Sequence, residues 1–509
     1  MAEIRNGPRA RLVLSSLLLT VSATLIAHAP LAAADAYQDW LRSQSLGTEA
    51  MKRQYQVYRS EQDLQFSSHL KAQWQEFQVY QGKVRDPSPK PKILPKAVPK
   101  TPVIANVPAQ EQPIRPDVPA ETPLPPKIEP SPPPPVLPAE VVRDSIELDF
   151  YGNPITLPFD PQWRSMRLSK LDPDGIAAFW DTSSATRLQP TLQAMAKARQ
   201  DLALDDWGHV ALWQQLAKSL QPDHPAERSL LLWYFLVKAG VDVRLGYSGA
   251  QPWLFVAVEQ PVYAVNYTKV GERTYYALLS PDRGKSLKRF STYDSSYPAP
   301  LQPLNLKSVA TAFGKAAPVA KTVTFDFQGR PVTLKFDYDR RVVEYMSTFP
   351  QMDFELYFAT PGSPAARNPL LQTLHQKIQG MSEENALNFL LAFVQKGFAY
   401  QTDEEQFGYE KYFYVEETLH YPYSDCEDRA VLYSWLVRNL LGLKTVGLHY
   451  PGHMTTAVAI KSPLRGNWNS IEWQGERYVI ADPTYINASI GMAMPSYANL
   501  QPLRVVPAP

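Results

Sequence analysis

Three side chains at wide spacing could together carry out acyl transfer. Cys426 lies in Ser424-Asp425-Cys426-Glu427-Asp428-Arg429, His453 ends Tyr450-Pro451-Gly452-His453, and Asp482 follows Tyr478-Val479-Ile480-Ala481 and precedes Pro483. A thiolate attacks a carbonyl carbon. An imidazole takes the thiol proton and later returns it to a leaving amine, and a carboxylate on its far nitrogen fixes tautomer and orientation. The candidate roles are Cys426 as nucleophile, His453 as base and Asp482 as orienting acid. Cys426 is the only cysteine in the chain, so no internal disulfide accounts for it.

The local sequence indicates how each group is held. Ser424, three residues before Glu427, matches a capping box ahead of the apolar positions Ala430, Val431, Leu432, Trp435 and Leu436, which predicts a helix with Cys426 in its first turn. The unpaired amides and dipole there favour thiolate. Asp425, Glu427 and Asp428 oppose it. His453 is expected at the start of a strand over Met454 to Ile460, and Asp482 at the end of one over Tyr478 to Ala481. His449 is a rival histidine on the same turn, and spacing alone does not choose between the two. A metal site built from His449, His453 and Cys426 lacks a convincing closed ligand set, so no metal is assigned.

This combination resembles the transglutaminase-like superfamily of thiol enzymes, related in fold to the papain-like proteases. There a cysteine opens a helix of the form Cys-x-x-x-Ala-x-Leu, a histidine opens the next strand, and an aspartate ends the following one in Asp-Pro-Thr. Here these are Cys426 with Ala430 and Leu432, His453, and Asp482-Pro483-Thr484. The likeness spans roughly residues 381–490. Met454 stands where the family often has an aromatic residue, and Asp425 where it often has glycine. The resemblance implies an α+β papain-like fold, a Cys-His-Asp triad, a protein or peptide substrate attacked at an amide bond, and no cofactor. It favours hydrolysis over cross-linking.

The chain also contains an internal repeat. Residues 145–160 align without gaps on 322–337, with half the positions identical, including Asp149/Asp326, Gly152/Gly329, Pro154/Pro331 and Phe159/Phe336. Alternation around a Gly-x-Pro turn predicts a β-hairpin in each. Helical and strand patterns then follow in the same order, and the helix from Glu227 to Ala239 matches that from Glu427 to Asn439. Two tandem domains are expected, at 141–315 and 316–509. In the first, Ala226 takes the place of Cys426, Ala250 that of His453 and Ser280 that of Asp482, which makes it a catalytically dead copy. It also lacks most of the aromatic and acidic segment from Tyr400 to Tyr423. That segment is expected beside the cysteine, as a groove wall or as a packed surface loop, with Gln406 or a tyrosine a candidate oxyanion donor beside the Cys426 amide.

Composition narrows the remaining classes. The 51 basic and 50 acidic residues nearly cancel, giving no footprint of a nucleic-acid binder. Arg5, Arg9 and Arg11, the apolar run from Leu12 to Ala27 and Ala32-Ala33-Ala34 predict a cleaved export signal over residues 1–34, hence a periplasmic or secreted protein with no transmembrane segment after its removal. Proline is over-represented at 48 residues, and the excess clusters within 85–140, a polyproline spacer. Between these, residues 35–84 carry Met51, Tyr55, Tyr58, Phe66, Leu70, Trp74 and Phe77 at helical spacing. This predicts an amphipathic helical segment that docks a protein partner or packs on the chain itself. The competing functional class is a non-enzymatic binding platform built from the two domains.

Overall fold

The computed structural model describes residues 61–71, 74–78, 80–81, 94–97, 144–279, 287–293, 297–307, 309, 316–462 and 468–509. The expected export signal and most of the proline tract lie outside these residues. So does Ser280. Among the described residues no helix is long and apolar enough to cross a membrane.

The architecture is α+β and twofold repetitive. Before the first repeat come helix α1 (residues 61–71), β1 (Trp74–Gln78) and β2 (Tyr80–Gln81). The repeat opens with the hairpin β3 (Ser145–Phe150) and β4 (Asn153–Pro158). Five helices follow: α2 (Gln162–Ser165), α3 (Pro173–Ser184), α4 (Gln189–Asp201), α5 (Asp206–Leu220) and α6 (Pro225–Lys238). Its sheet strands are β5 (Val243–Ser248), β6 (Gln251–Ala257), β7 (Asn266–Val270), β8 (Arg273–Tyr276) and β9 (Arg289–Tyr293).

The second repeat opens with β10 (Pro318–Phe327) and β11 (Arg330–Asp339), then α7 (Arg340–Met346), α8 (Phe354–Ala359), α9 (Pro364–Ile378) and α10 (Glu383–Gly397). The segment before the cysteine forms β12 (Ala399–Tyr400), α11 (Asp403–Phe407), α12 (Val415–His420) and β13 (Tyr423–Ser424). It leads into α13 (Cys426–Leu441), β14 (Thr445–Tyr450), β15 (His453–Val458), β16 (Ser470–Trp473), β17 (Glu476–Ala481) and β18 (Arg504–Ala508).

Both predicted hairpins are present in matching register, with Asp149 opposite Pro154 and Asp326 opposite Pro331. Each turn places two residues in the left-handed region, Tyr151 and Gly152 at φ 48° and 82°, Gln328 and Gly329 at 53° and 77°. Positive φ at both turn positions gives the twist that suits antiparallel strands. The sheets correspond strand for strand: β9-β5-β6-β8-β7 in the first repeat and β18-β14-β15-β17-β16 in the second, every neighbouring pair antiparallel. In each, the helix preceding the sheet, α6 or α13, packs on its helix-facing side.

Residues 74–81 correct the sequence expectation. Helix α1 ends at 71, and the predicted helical stripe through Trp74 and Phe77 is a strand. β1 pairs with β9 and β2 with β7, the two opposite edges of the first sheet. A single residue separates β1 from β2, so this one strand joins both edges and closes the sheet into a barrel. Phe77, Trp253, Phe255, Tyr275 and Phe290 fill its interior, while Trp74 faces Tyr247 and Tyr293 on the other side. Trp74 is half-buried and Phe77 buried on opposite faces, while Glu76 and Gln78 are exposed, so the two aromatic residues three apart mimic the spacing of a helix.

Helix α1 is likewise part of the first repeat. Phe66 is fully buried and meets Trp180, Tyr293 and Tyr297 at ring distances of 4.8, 5.4 and 5.3 Å. Asp63 pairs with Lys238 at the end of α6 at 3.1 Å, and both side chains are under a tenth exposed. The Tyr297 hydroxyl also donates to Asp63. Replacing Asp63 by Ala strands the Lys238 ammonium in the interior, so D63A is expected to cost about 3–5 kcal/mol. Urea denaturation of the wild type and variant measures this, and a loss below about 1 kcal/mol would show that α1 is not a structural part of the repeat.

Candidate functional site

The cysteine helix starts one residue later than its capping pattern suggested. Asp425 is the N-cap of α13, in extended backbone, and Cys426 is the first helical residue. The Asp425 amide donates to Asp428 Oδ2 at 3.1 Å, so the box is Asp425 with Asp428 in place of Ser424 with Glu427. Ser424 Oγ instead accepts from Arg429 Nε at 3.2 Å. Either register leaves Cys426 in the first turn, where amides have no intrahelical acceptor.

His453 and Asp482 arrive from the sheet. In the β14–β15 hairpin Tyr450 pairs with His453 and His449 with Met454. The two histidines therefore sit on opposite faces, because cross-strand partners share a face and neighbours along a strand do not. His449 lies against Phe354 of α8 with ring centroids 5.4 Å apart. His453 Nε2 meets Asp482 Oδ2 at 2.9 Å. The other carboxylate oxygen accepts from the Thr484 and Tyr485 amides at 2.9 and 3.2 Å, so the loop after β17 fixes the rotation of Asp482.

The thiol lies against the start of the same strand. The Met454 amide approaches Cys426 Sγ at 3.4 Å, which places the sulfur beside the residue following His453. His453 Nδ1 is shielded and has no hydrogen-bond partner. Cys426, His453 and Asp482 are all 2% exposed or less. The Tyr497 ring stacks on the imidazole at 4.8 Å. The structure thus joins His453 to Asp482 directly and brings Cys426 to the first residues of the histidine strand.

A second acceptor stands beside the sulfur. Cys426 Sγ donates to Glu427 Oε2 at 3.1 Å, and a carboxylate at that position disfavours a neighbouring thiolate. Two carboxylate groups among the described residues bring their oxygens within 4.8 Å of one another: Asp403, Glu410 and Glu427, and Asp403, Asp425 and Asp428. Their donors are of the kind that suits a hard cation. Both contain acids already committed to the chain, since Asp403 accepts from the Lys411 amide at 2.8 Å and Asp428 from the Phe413 amide at 2.9 Å. Neither contains His449, His453 or Cys426.

The segment between β12 and β13 is densely packed around the helix start. β12 and β13 pair in parallel, Tyr400 opposite Ser424. Lys411 is buried, bonded to Glu417, and lies 4.6 Å from the Phe413 ring and 5.1 Å from that of Tyr421. Burial disfavours its charge, and Glu417 outweighs that effect and holds the ammonium above its usual range. Arg429, fully buried one turn into α13, donates to the carbonyls of Gln395 at 3.3 Å and Phe398 at 2.7 Å at the end of α10. Burial pushes its guanidinium down to about 10.

Sequence reading missed Gln395. From α10 its amide donates to the carbonyls of Asp482 at 2.9 Å and Ala488 at 3.1 Å, and its oxygen accepts from the Asn487 amide at 3.2 Å. It clamps both ends of the loop that carries Asp482. Its partners lie about ninety positions away in sequence, so no local pattern marked it.

Among the described residues, the first repeat places neither a cysteine nor a histidine at the corresponding positions. α6 opens with Pro225, Ala226 is its second residue, and the hairpin register places Gln251 opposite Ser248, as His453 is opposite Tyr450. Gln251, in place of the Ala250 expected from the turn alignment, is the register counterpart of His453. An amide is not a general base, so the copy still lacks one.

No family model, curated protein or solved structure matches this chain.

Two outcomes test the site's construction. Gln395→Leu leaves two carbonyls and one amide unpaired in the interior, and is expected to lower stability by about 2–5 kcal/mol in urea denaturation; a change within about 0.5 kcal/mol would show that the loop does not depend on it. Glu427→Gln removes the negative charge beside the thiol, and is expected to raise iodoacetamide labelling of Cys426 near neutral pH several-fold. Slower labelling would instead mark Glu427 as an activating base.

Proposed function

We propose that this chain is a transglutaminase-like thiol enzyme acting on an amide bond of a peptide or protein. The observation that carries this reading is the state of His453. Its Nε2 is engaged by Asp482 at 2.9 Å while its shielded Nδ1 is unengaged, on a strand whose next amide touches Cys426 Sγ. A buried ring nitrogen without a partner is costly, and a base that must accept a proton needs one nitrogen open.

In this reading the Cys426 proton passes to His453 Nδ1 and the sulfur attacks the amide carbonyl carbon. The imidazolium, steadied by Asp482, gives its proton to the departing amine as the C–N bond breaks, leaving a thioester on Cys426. Water, deprotonated by His453, then releases a carboxylic acid and restores the thiol. An amine in place of water gives cross-linking through the same thioester, and hydrolysis remains the assignment because the resemblance to exported thiol enzymes favours it. The amides opening α13 supply positive potential for the oxyanion. Gln406 Nε2, unpartnered on α11, is the side-chain donor assigned to the same charge. The reading also carries export to the periplasm or exterior, from the basic and apolar pattern of residues 1–34.

The near-complete burial of Cys426 favours a second reading, in which the two repeats form a non-enzymatic platform. Iodoacetamide labelling near neutral pH separates the two. The enzyme reading expects His453→Ala to slow labelling about a hundredfold, with Asp482→Ala in the same direction and smaller. Labelling no faster than that of an ordinary exposed thiol, and indifferent to His453, would sink it. Incubation with candidate protein substrates, with Cys426→Ala as control, then identifies the acyl group retained on the wild-type thiol.

A further inference from the structure

The loop that carries Asp482 onward is occupied by another part of the same chain. Residues Leu94–Ala97, from within the proline tract, lie alongside it as an extended parallel strand, with Lys96 bridged to Ile486. The Ala97 amide donates to the Ile486 carbonyl at 2.9 Å and the Ile486 amide to the Pro95 carbonyl at 3.2 Å. Backbone pairing of this kind gives a peptide its affinity for an edge, and small pockets for alternate side chains give selectivity. Here Ala97 packs on the cluster of Tyr485, Ala488 and Met494, while Lys96 between the two bonding residues is exposed. Pro95 loses nothing in this arrangement, because only its carbonyl is used.

The same cluster supports the cover of the site. Tyr497 packs against it, stacks on the His453 ring at 4.8 Å and lies 5.3 Å from the Tyr450 ring. Ile486 is four residues beyond Asp482, within the stretch clamped by Gln395. A strand seated at Ile486 is thereby coupled through Tyr485, Ala488 and Met494 to the aromatic ring over the imidazole.

We propose that the loop from Tyr485 to Tyr497 is a binding edge for an extended peptide with a proline followed two positions later by a small apolar residue. Leu94–Ala97 is its internal ligand, which competes with substrate and holds Tyr497 over His453. The occupancy of the edge stands independently of catalysis. The competition with substrate rests on the thiol-enzyme reading. A protein substrate carrying such a sequence in an exposed, extended segment displaces the internal strand, and in doing so loosens the packing that keeps the thiol closed.

Ala97→Pro in the full-length chain tests this, because proline removes the amide that donates to Ile486 while leaving every residue of the site intact. Amide hydrogen exchange at Ile486 is expected to speed up about tenfold, the loss of roughly one net hydrogen bond, and iodoacetamide labelling of Cys426 to rise several-fold. A synthetic peptide spanning residues 90–101, added to the variant, is expected to reverse both changes. Unchanged exchange at Ile486, or no reversal by the peptide, overturns the binding edge. Faster exchange with unaltered labelling overturns its coupling to the site. The double variant Ala97→Pro with His453→Ala keeps the two readings apart: fast exchange at Ile486 together with labelling indifferent to His453 supports the edge and refutes the catalytic assignment.

Discussion

The structure depends on a helix start carried wholly into the interior. Asp425, Cys426, Glu427, Asp428 and Arg429 are each 2% exposed or less, so the first turn of α13 has no water to satisfy its amides or screen its charges. Every such group must find a partner inside the protein or raise the free energy of the fold. Asp428 answers for two backbone amides, those of Asp425 and Phe413. Arg429 answers for the last carbonyls of α10, where a cation also meets the negative end of the helix dipole. The segment from β12 to β13 supplies the rest, with the buried Lys411 and Glu417 pair holding Phe413 and Tyr421 against the helix start.

The first repeat shows what the scaffold looks like without that demand. α6 begins with an exposed proline, whose missing amide needs no acceptor, and Ala226, Glu227 and Arg228 are only half-buried. That start requires neither a buried carboxylate box nor a covering segment, and the chain leads into it through a few residues. The fold itself therefore does not call for the residues gathered at Cys426, His453 and Asp482. The two repeats also share a seam that reaches the site. The Tyr263 amide donates to the Gln351 carbonyl at 2.8 Å, and the side chain of Gln351 accepts from the Tyr412 amide at 2.7 Å, next to Phe413. The first repeat thereby helps hold the segment packed around Cys426 in the second.

Much of this was legible in the sequence where local rules dominate. The hairpins follow from a turn repeated with its glycine, α6 from its apolar run, α13 from an apolar run with a capping signal, and β15 and β17 from strand-like apolar stretches. The three candidate residues fall at element boundaries for the same reason. What escaped depends on distant partners. The cap moved from Ser424 to Asp425 because Arg429 engages Ser424 while Asp428 takes the Asp425 amide, a choice between two plausible boxes that only packing makes. Trp74 and Phe77 read as helical because they pack on opposite faces of their strand, three residues apart. Gln395 carried no signal, since an amide on an apolar helix declares its role only when the loop it clamps is in place. That His453 and His449 face opposite sides, with His453 against Asp482, likewise depends on strand register.

The two sheets, identical in strand order, end differently, and the difference bears on how each can behave. The first is closed by residues 74–81, which removes its edges and buries its aromatic interior from Phe77 to Phe290. Pairing at both edges covers backbone that would otherwise be free to exchange partners. In the second, β16 and β18 are the outer strands and no described strand joins them; the chain between β17 and β18 is held by the Gln395 clamp, by backbone bonds of Gly491 to Ile480 and Asn469, and by the bridge to Lys96 at Ile486. Such a segment opens at the cost of a few hydrogen bonds, whereas the closed barrel would have to lose a whole strand. The thiol-enzyme reading requires a substrate to reach the buried Cys426, and Cys426, His453 and Asp482 all lie on the repeat whose sheet no described strand closes.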